Sequence, residues 1–417
     1  MAQEPQAPER SAAEAVARRS YGKLIAFLSA RTRDVAAAED ALSEAFAAAL
    51  TAWPLHGIPQ TPEAWLMTVA RRKMIDAARQ RRGFDAAAET LALITDLAHE
   101  DEPDPPIPDE RLALMFVCAH PAIDASARAP LMLQTILGFD AAAIGSAFLV
   151  APATMGQRLV RAKTKIRQAG ISFCVPARAD LPERLDAVLD AIYAAYAEGW
   201  SDPAGTEARR RNLAEEAIWL GRLVASMLPH EPEALGLLAL MLHAQARRAA
   251  RRDGAGRYVP LAEQDSQHWD AALIDEAESL LHGASALGVV GRYQLEAAVQ
   301  SAHVVRRHAG RADWPAIERL YDALAQITDS PVVAINRAIA ITETQGPAAA
   351  LAALDAVAGD ARLADYQPYW AARAGLLARL GHTGPADAAY GLAIGLESDP
   401  AVREFLQQRR AQLRGPA

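Results

Sequence analysis

The chain has 417 residues, a formal net charge of −8 and two cysteines. This length predicts two or three domains, and no run approaches the ~18 consecutive apolar residues of a membrane span. The polar, proline-bearing N-terminus has no apolar segment typical of a secretory signal. Cys118 and Cys174 lie far apart in apolar surroundings, which indicates neither a disulfide framework nor a metal site. We therefore expect a cytoplasmic protein.

Alanine, leucine and arginine dominate the composition and β-branched and aromatic residues are sparse, which predicts an all-α fold. Charge is concentrated in blocks. Residues 71–82 contain six basic side chains and one acidic one, and residues 158–167 contain five basic and no acidic ones. Residues 85–110 contain nine acidic side chains and no Lys or Arg. The net charge argues against nucleic-acid binding over the whole surface, but the two basic blocks are candidates for it.

The charge blocks and the proline content divide the chain into four segments. The segment at 84–108 is rich in proline and acidic residues. It cannot bury enough apolar surface to fold and is predicted to be a mobile linker. The segments are a first helical domain at 11–83, the acidic linker at 84–108, a second helical domain at 109–173 and a larger helical region at 181–417.

The first candidate site is an acidic helix in the first domain. Leu42 and Phe46 are four residues apart and mark its predicted buried face. Asp40 and Glu44 are also four apart, with Glu39 nearby, so like charges share one exposed stripe at a cost of about a few tenths of a kcal/mol. A basic partner would offset this cost. The alternative interpretation is an ordinary solvated acidic face.

The second candidate site is a helix that begins near Thr61. Thr61 is a favourable N-cap, Pro62 suits the first helical position and Glu63 complements the helix dipole. The first half of this helix is apolar around Trp65, and its second half is the basic block at 71–82. A helix anchored in a core at one end and cationic at the other suits phosphate contact. A solvated basic helix end is the alternative.

The second domain has the spacing of a helix-turn-helix. Asp140 is the predicted N-cap of a short helix, and Pro152 opens a longer one. On the longer helix the predicted core face consists of Met155, Leu159, Ala162 and Ile166. A second face is polar and basic, as a recognition helix in a major groove requires, and consists of Thr154, Arg158, Arg161 and Lys165, bordered by Gln157. The alternative is a basic amphipathic surface helix.

The C-terminal region contains an approximate internal repeat. Trp314, Gly346 and Gly384 each precede a proline, and their spacings of 32 and 38 residues bracket the ~34-residue period of tetratricopeptide repeats. The last unit matches the spacing of that repeat at Trp370, Ala374, Ala386, Tyr390 and Ala393. Paired helices that stack into a solenoid are therefore predicted, although residues 181–300 have no assignable repeat frame.

In this order and spacing, the motifs of residues 11–173 resemble the sigma-70 family, and specifically its extracytoplasmic-function group, which retains regions 2 and 4. Residues 38–46 resemble region 2.2, which implies polymerase contacts by Glu39, Asp40, Leu42, Glu44 and Phe46. Residues 62–76 and the preceding loop resemble the parts that melt and recognise the −10 element. This implies −10 contacts by Trp53, Trp65, Arg71, Arg72, Lys73, Asp76 and Arg79. Residues 140–167 resemble region 4, which implies −35 contacts by Thr154, Gln157, Arg158, Arg161 and Lys165.

The resemblance implies a protein that is not an enzyme and has no catalytic residue, metal or cofactor. Its expected partners are core RNA polymerase, through the β′ and β subunits, and promoter DNA. The C-terminal region resembles the tetratricopeptide-like extension of a subgroup that lacks a separate anti-sigma partner, which implies a regulatory role or a protein partner. The acidic linker is expected to screen the basic faces in the free protein.

Three other classes of protein compete with this interpretation. A one-component regulator, with a helix-turn-helix and ligand-sensing repeats, would leave residues 11–83 without a role. A scaffold would leave both basic helices without one. An enzyme could use His303 with His308, or Ser266, His268 and Asp270. However, two histidines five residues apart share a helix face poorly, and a catalytic triad requires convergence in space that sequence does not show.

Overall fold

We describe a computed structural model of the chain, covering residues 13, 16, 20–29, 34–81, 109–169, 176–200 and 213–413. Within these ranges the secondary structure consists of 18 complete α-helices, a helical segment at 20–29, short 3₁₀ turns and one isolated bridge between Arg252 and Tyr258. The predicted all-α fold is confirmed. The linker predicted at 84–108 lies outside the described residues. No described helix combines the length and apolar character needed to span a membrane.

The described residues form two compact units that divide between Ala195 and Tyr196. In the first unit, residues 20–29 are helical and precede six complete helices. These are α1 (Val35–His56), α2 (Pro62–Arg81), α3 (Glu110–Cys118), α4 (Ala125–Thr135), α5 (Ala141–Ala147) and α6 (Pro152–Ala169). A seventh helix, α7 (Leu181–Trp200), contains the division between the units.

Local sequence explains where the helices of the first unit begin. Asp34 and Asp140 act as N-caps, accepting hydrogen bonds from the amides of Ala37 and Ala143 at 2.9 and 2.8 Å. Asp109 caps α3 in the same way. The predicted cap at Asp140 is confirmed, and Pro62 opens α2 as expected from its fixed φ.

The core of the first unit is built on an antiparallel pair of helices and one central helix. The rings of Trp53 on α1 and Trp65 on α2 lie 5.7 Å apart, and Glu44 pairs with Lys73 at the other end of the pair. Helix α3 is buried along almost its whole length. The segment 20–29 packs so closely that a Cβ added at Gly22 would lie 2.2 Å from the Ile136 carbonyl oxygen. Only glycine permits this approach between the two predicted domains.

The two cysteines do not form a site in the described structure. Cys118 is buried and unpaired at the end of α3, and burial raises the pKa of its thiol to about 12. Such a thiol is inert at neutral pH. Cys174 lies outside the described residues.

The second unit consists of helices that pack consecutively along the chain. They are α8 (Leu213–Met227), α9 (Pro232–Ala246), α10 (Ala271–Ala286), α11 (Arg292–Val304), α12 (Arg306–Ala309), α13 (Trp314–Ile327), α14 (Pro331–Thr344), α15 (Pro347–Asp355), α16 (Gln367–Arg379), α17 (Thr383–Leu396) and α18 (Pro400–Gln412). Helices begin at Trp314, Pro347 and Thr383, as the repeat spacing predicted. In the last unit Ala374, Ala386, Tyr390 and Ala393 form one buried cluster, packed on Trp370.

An insertion at 247–270 separates α9 from α10 and contacts the C-terminal helix. Arg252 pairs with Asp399, Arg409 with Glu263 at 2.6 Å, and the rings of Tyr258 and Phe405 meet at 5.4 Å. The first helices of this unit are thereby connected to its last. The insertion also explains why residues 181–300 have no regular repeat frame in sequence.

Two histidines, the buried His243 and the half-buried His303, predict acid sensitivity of the second unit. Burial, with a smaller effect from Arg247, lowers the pKa values of His243 and His303 to about 4. The His303 ring packs edge-on against Trp314, and Glu278 lies 3.5 Å from Nε2 of His243. Both histidines are therefore neutral in the fold near pH 7.

A histidine with a lowered folded-state pKa contributes stability that is present above pH 6.5 and is lost as the pH falls towards 4. We expect each histidine to remove about 3 kcal/mol from the free energy of unfolding across this range. Urea titrations between pH 4.5 and 7.5 measure the slope. His243→Leu should flatten it, whereas the exposed control His268→Gln should not. An unchanged slope in His243→Leu would contradict the assignment.

Candidate nucleic-acid interface

The acidic stripe on α1 is exposed at two of its three carboxylates. Asp40 and Glu44 face solvent, and Glu39 is half-buried. Leu42 is fully buried, and Phe46 is half-buried against the Tyr21 ring at 6.1 Å. Of the residues predicted to contact the polymerase, the structure therefore places Asp40 and Glu44 on the surface. Leu42 and Phe46 anchor the helix beneath them.

Glu39 is held by a basic residue of the second predicted domain. Lys163 Nζ on α6 lies 2.5 Å from Glu39 Oε1, and these side chains are only 24 and 19 % exposed. Burial and the Glu39 charge together raise the pKa of Tyr21 beneath them. No local sequence pattern indicates this pair, because its members are 124 residues apart and Lys163 lies off the predicted DNA-contacting face.

The basic half of α2 is partly exposed and partly packed. Arg72, Lys73 and Asp76 face solvent. Lys73 Nζ lies 3.0 Å from Glu44 Oε2, so the basic block begins beside the acidic stripe. The Arg71 guanidinium is half-buried and lies over the Phe27 ring at 5.4 Å. Arg79 belongs to α2, but its side chain lies outside the described residues.

The two tryptophans predicted near the −10 element have different environments. Trp53 is 1 % exposed and contacts the edge of Trp65, which is half-buried. In this conformation Trp53 is a core residue. The exposed apolar side chains nearby are Leu55 and Ile58, which belong to none of the predicted sites.

Helices α4, α5 and α6 pack together, and the turn between α5 and α6 is unusually close. Leu149 in the turn has φ of 52°, the only positive φ of a non-glycine residue among those described. An added Cβ at Gly145 would lie 2.5 Å from the Val150 carbonyl oxygen. The turn itself contains no glycine. It can pack closely against α5 because Gly145 on that helix has no side chain.

The close approach of Gly145 to the Val150 carbonyl makes the turn sensitive to a side chain added at Gly145. Gly145→Val should displace the turn and destabilise the second domain by about 1–3 kcal/mol or more. Gly156→Ala is the matched control, because its Cβ would meet only the Ala141 Cβ at 3.9 Å. Thermal unfolding followed by circular dichroism compares the two variants. Equal midpoints would show that the turn can move away without cost.

The core face predicted for α6 is confirmed, since Met155, Leu159, Ala162 and Ile166 are all buried. Of the predicted DNA-contacting residues, Thr154, Gln157, Arg161 and Lys165 are exposed and Arg158 is half-buried. At about 100° per residue, most of these residues lie to one side of the surface opposite the core. The pKa of Asp124 is lowered mainly by its hydrogen bonds with Ser126 and, to a smaller extent, by the charges of Arg158 and Lys165. They therefore lie towards the start of α4.

The side of α6 directly opposite the core has a different composition. It carries Ala153, Gln157, Val160 and Thr164, with Arg161 at its edge. Val160 is 64 % exposed. A shallow depression on this side is lined by Ala153, Gly156, Gln157, Val160 and Arg161.

Comparison with known proteins gives two family matches. Residues 16–84 match the model of sigma-70 region 2, and residues 184–285 match a family of unknown function, DUF6596. The chain is also 37 % identical over 383 residues to the uncharacterized protein R00370 of Rhizobium meliloti (strain 1021), which covers 90 % of each chain. No solved structure matches the chain.

Proposed function

The chain carries the region 2 domain of the sigma-70 family and belongs to the same family as the Rhizobium meliloti protein, and from this we propose that it is a sigma factor of the extracytoplasmic-function type. In this proposal it binds core RNA polymerase and directs initiation at specific promoters. The observation that carries the proposal is that one helix pair, α1 and α2, exposes carboxylates and cations side by side.

The acidic stripe is the proposed polymerase contact. Asp40 and Glu44 are exposed and four residues apart, so their mutual repulsion is relieved by a basic partner surface. Glu39 contributes only after it exchanges Lys163 for that partner.

The basic half of α2 is the proposed −10 contact. Arg72 and Lys73 are exposed on the same pair of helices, where cations position a DNA backbone through its phosphates. Trp65 is half-buried in the first turn of α2, beside the loop that precedes this helix. Helix α6 is the proposed −35 contact. It follows the tight turn after α5 and has an exposed face that carries Gln157 and Arg161.

Transcription in a purified system tests this function. Core polymerase is supplied with the chain and a supercoiled template that carries the region upstream of its own gene. We expect initiation at a defined site that requires the chain, together with co-elution of the chain with core polymerase on gel filtration. Absence of both, with tight binding of the template by the chain alone, would instead favour the one-component regulator.

We further propose that the C-terminal unit modulates promoter output. Its helices pack consecutively, as in solenoids that present extended binding surfaces, and its insertion is tied to α18. Tyr258→Ala removes the ring contact with Phe405 and should change the amount of transcript while leaving association with core polymerase intact. An identical transcript yield over all template and salt conditions would remove the support for modulation.

A further inference from the structure

The outward side of α6 is apolar at its centre although the helix as a whole is basic. Val160 is the most exposed large apolar side chain of this helix, and Ala153 and Gly156 lie beside it. A single exposed valine would need no explanation. Here, however, Val160 lines one depression together with Ala153 and Gly156, and polar Gln157 and Arg161 border it.

Gly156 makes this depression possible. It lies four residues before Val160 on neighbouring turns of the helix, so its missing side chain leaves the valine methyl groups accessible from one flank. A Cβ at Gly156 would meet no atom closer than 3.9 Å, so packing does not require the glycine. The open space therefore lies on the surface and not within the core.

The charges around the depression indicate a nucleic acid as the occupant. Arg161 borders the depression itself, and Arg158 and Lys165 lie on the adjoining side of the same helix. Cations on the flanks of a recognition helix hold phosphates, while the centre of its outward side meets the base edges. The C5 methyl of thymine is the apolar group that base edges present in the major groove, and glutamine pairs well with adenine N6 and N7.

We propose that Val160, with Ala153 and Gly156, contacts a thymine methyl group in the −35 element, and that Gln157 contacts an adjacent adenine. This inference rests on the proposed function of α6 and adds the base that its centre selects. Arg158 and Lys165, to one side of the helix, then hold the DNA backbone and carry little sequence preference.

The test removes a single methyl group from the DNA. Functional −35 sequences are first selected from a randomised promoter library with core polymerase and the full chain. Each thymine of a selected element is then replaced in turn by deoxyuridine, which lacks only the methyl group. For the wild type, one position should lower promoter binding about fourfold, the effect of burying one methyl group.

Val160→Ala should lower binding to the thymine template by a similar factor and should be insensitive to deoxyuridine at that position. Val290→Ala, an equally exposed valine in the second unit, is the matched control and should behave as the wild type. The Val160 side chain is exposed, so circular dichroism and polymerase association should be unchanged in Val160→Ala.

Two results would overturn the inference while initiation remains intact. The first is a set of selected −35 elements with no required thymine, and the second is a Val160→Ala variant that retains the full deoxyuridine effect. If the wild type supports no initiation on any library member, the proposed function itself fails, and the inference fails with it.

Discussion

Reversing Asp40 and Glu44 together to lysine is expected to abolish polymerase-dependent initiation without unfolding the chain. Both carboxylates are exposed on α1, above the buried Leu42 that anchors the helix. Like charges placed opposite each other across an interface cost several kcal/mol, which corresponds to a loss in affinity of more than about 100-fold. Among the described residues, the ion pair that the change removes is the half-exposed pair of Glu44 with Lys73, which contributes about 0.2–1 kcal/mol.

Two comparisons make this result specific. Glu215→Lys with Asp275→Lys reverses two exposed carboxylates on helices of the second unit and should leave initiation unchanged. Glu44→Lys with Lys73→Glu keeps an ion pair between α1 and α2 but reverses its direction, and should still lose polymerase binding. Gel filtration with core polymerase measures binding directly. Wild-type binding by the Asp40 and Glu44 variant would show that the stripe does not contact the polymerase.

Periodicity predicted the parts of the fold that depend on local sequence. The spacing of Met155, Leu159, Ala162 and Ile166 identified the buried face of α6, because a core stripe recurs every three or four residues. Proline and aspartate likewise marked helix starts, as at Pro62 and Asp140. These signals act within one or two helical turns and need no knowledge of the tertiary structure.

The outward face of the same helix was less predictable. The positive charges favour Arg158 and Lys165 as contact residues. The side of the helix opposite the core, however, depends on helix geometry and is centred near Gln157 and Val160. An exposed valine has no distinguishing signal in a single sequence, since valine is usually a core residue. The predicted core stripe places Val160 on the opposite side of α6, and in the packed structure this side chain is 64 % exposed.

Contacts between distant segments are not indicated by any local sequence pattern. The pair of Glu39 with Lys163 and the approach of Gly22 to Ile136 depend on how two domains pack, and neither follows from the motif that contains it. The same holds for the contact of Tyr258 with Phe405, which joins an insertion to the last helix. Sequence predicted the separate helices in these cases but not their partners.

For Trp53, the role that the motif implies differs from the environment that the structure shows. The resemblance implies a −10 contact, but the structure buries the side chain between α1 and α2, where its indole N–H has no hydrogen-bond partner among the described residues. Trp53→Ala is therefore expected to lower the free energy of unfolding of the first unit by about 3–5 kcal/mol. Urea unfolding followed by far-ultraviolet circular dichroism measures this loss.

Trp65→Ala is the matched comparison, because its ring contacts Trp53 but is only half-buried. We expect a smaller loss of stability in Trp65→Ala and a larger loss of binding to a single-stranded −10 oligonucleotide, since a base can stack on a partly exposed aromatic ring. Trp53→Phe should recover most of the stability by refilling the cavity. If Trp53→Ala instead keeps wild-type stability and loses only −10 binding, then Trp53 leaves the core when DNA binds, and the conformation that contacts the promoter differs from the one described.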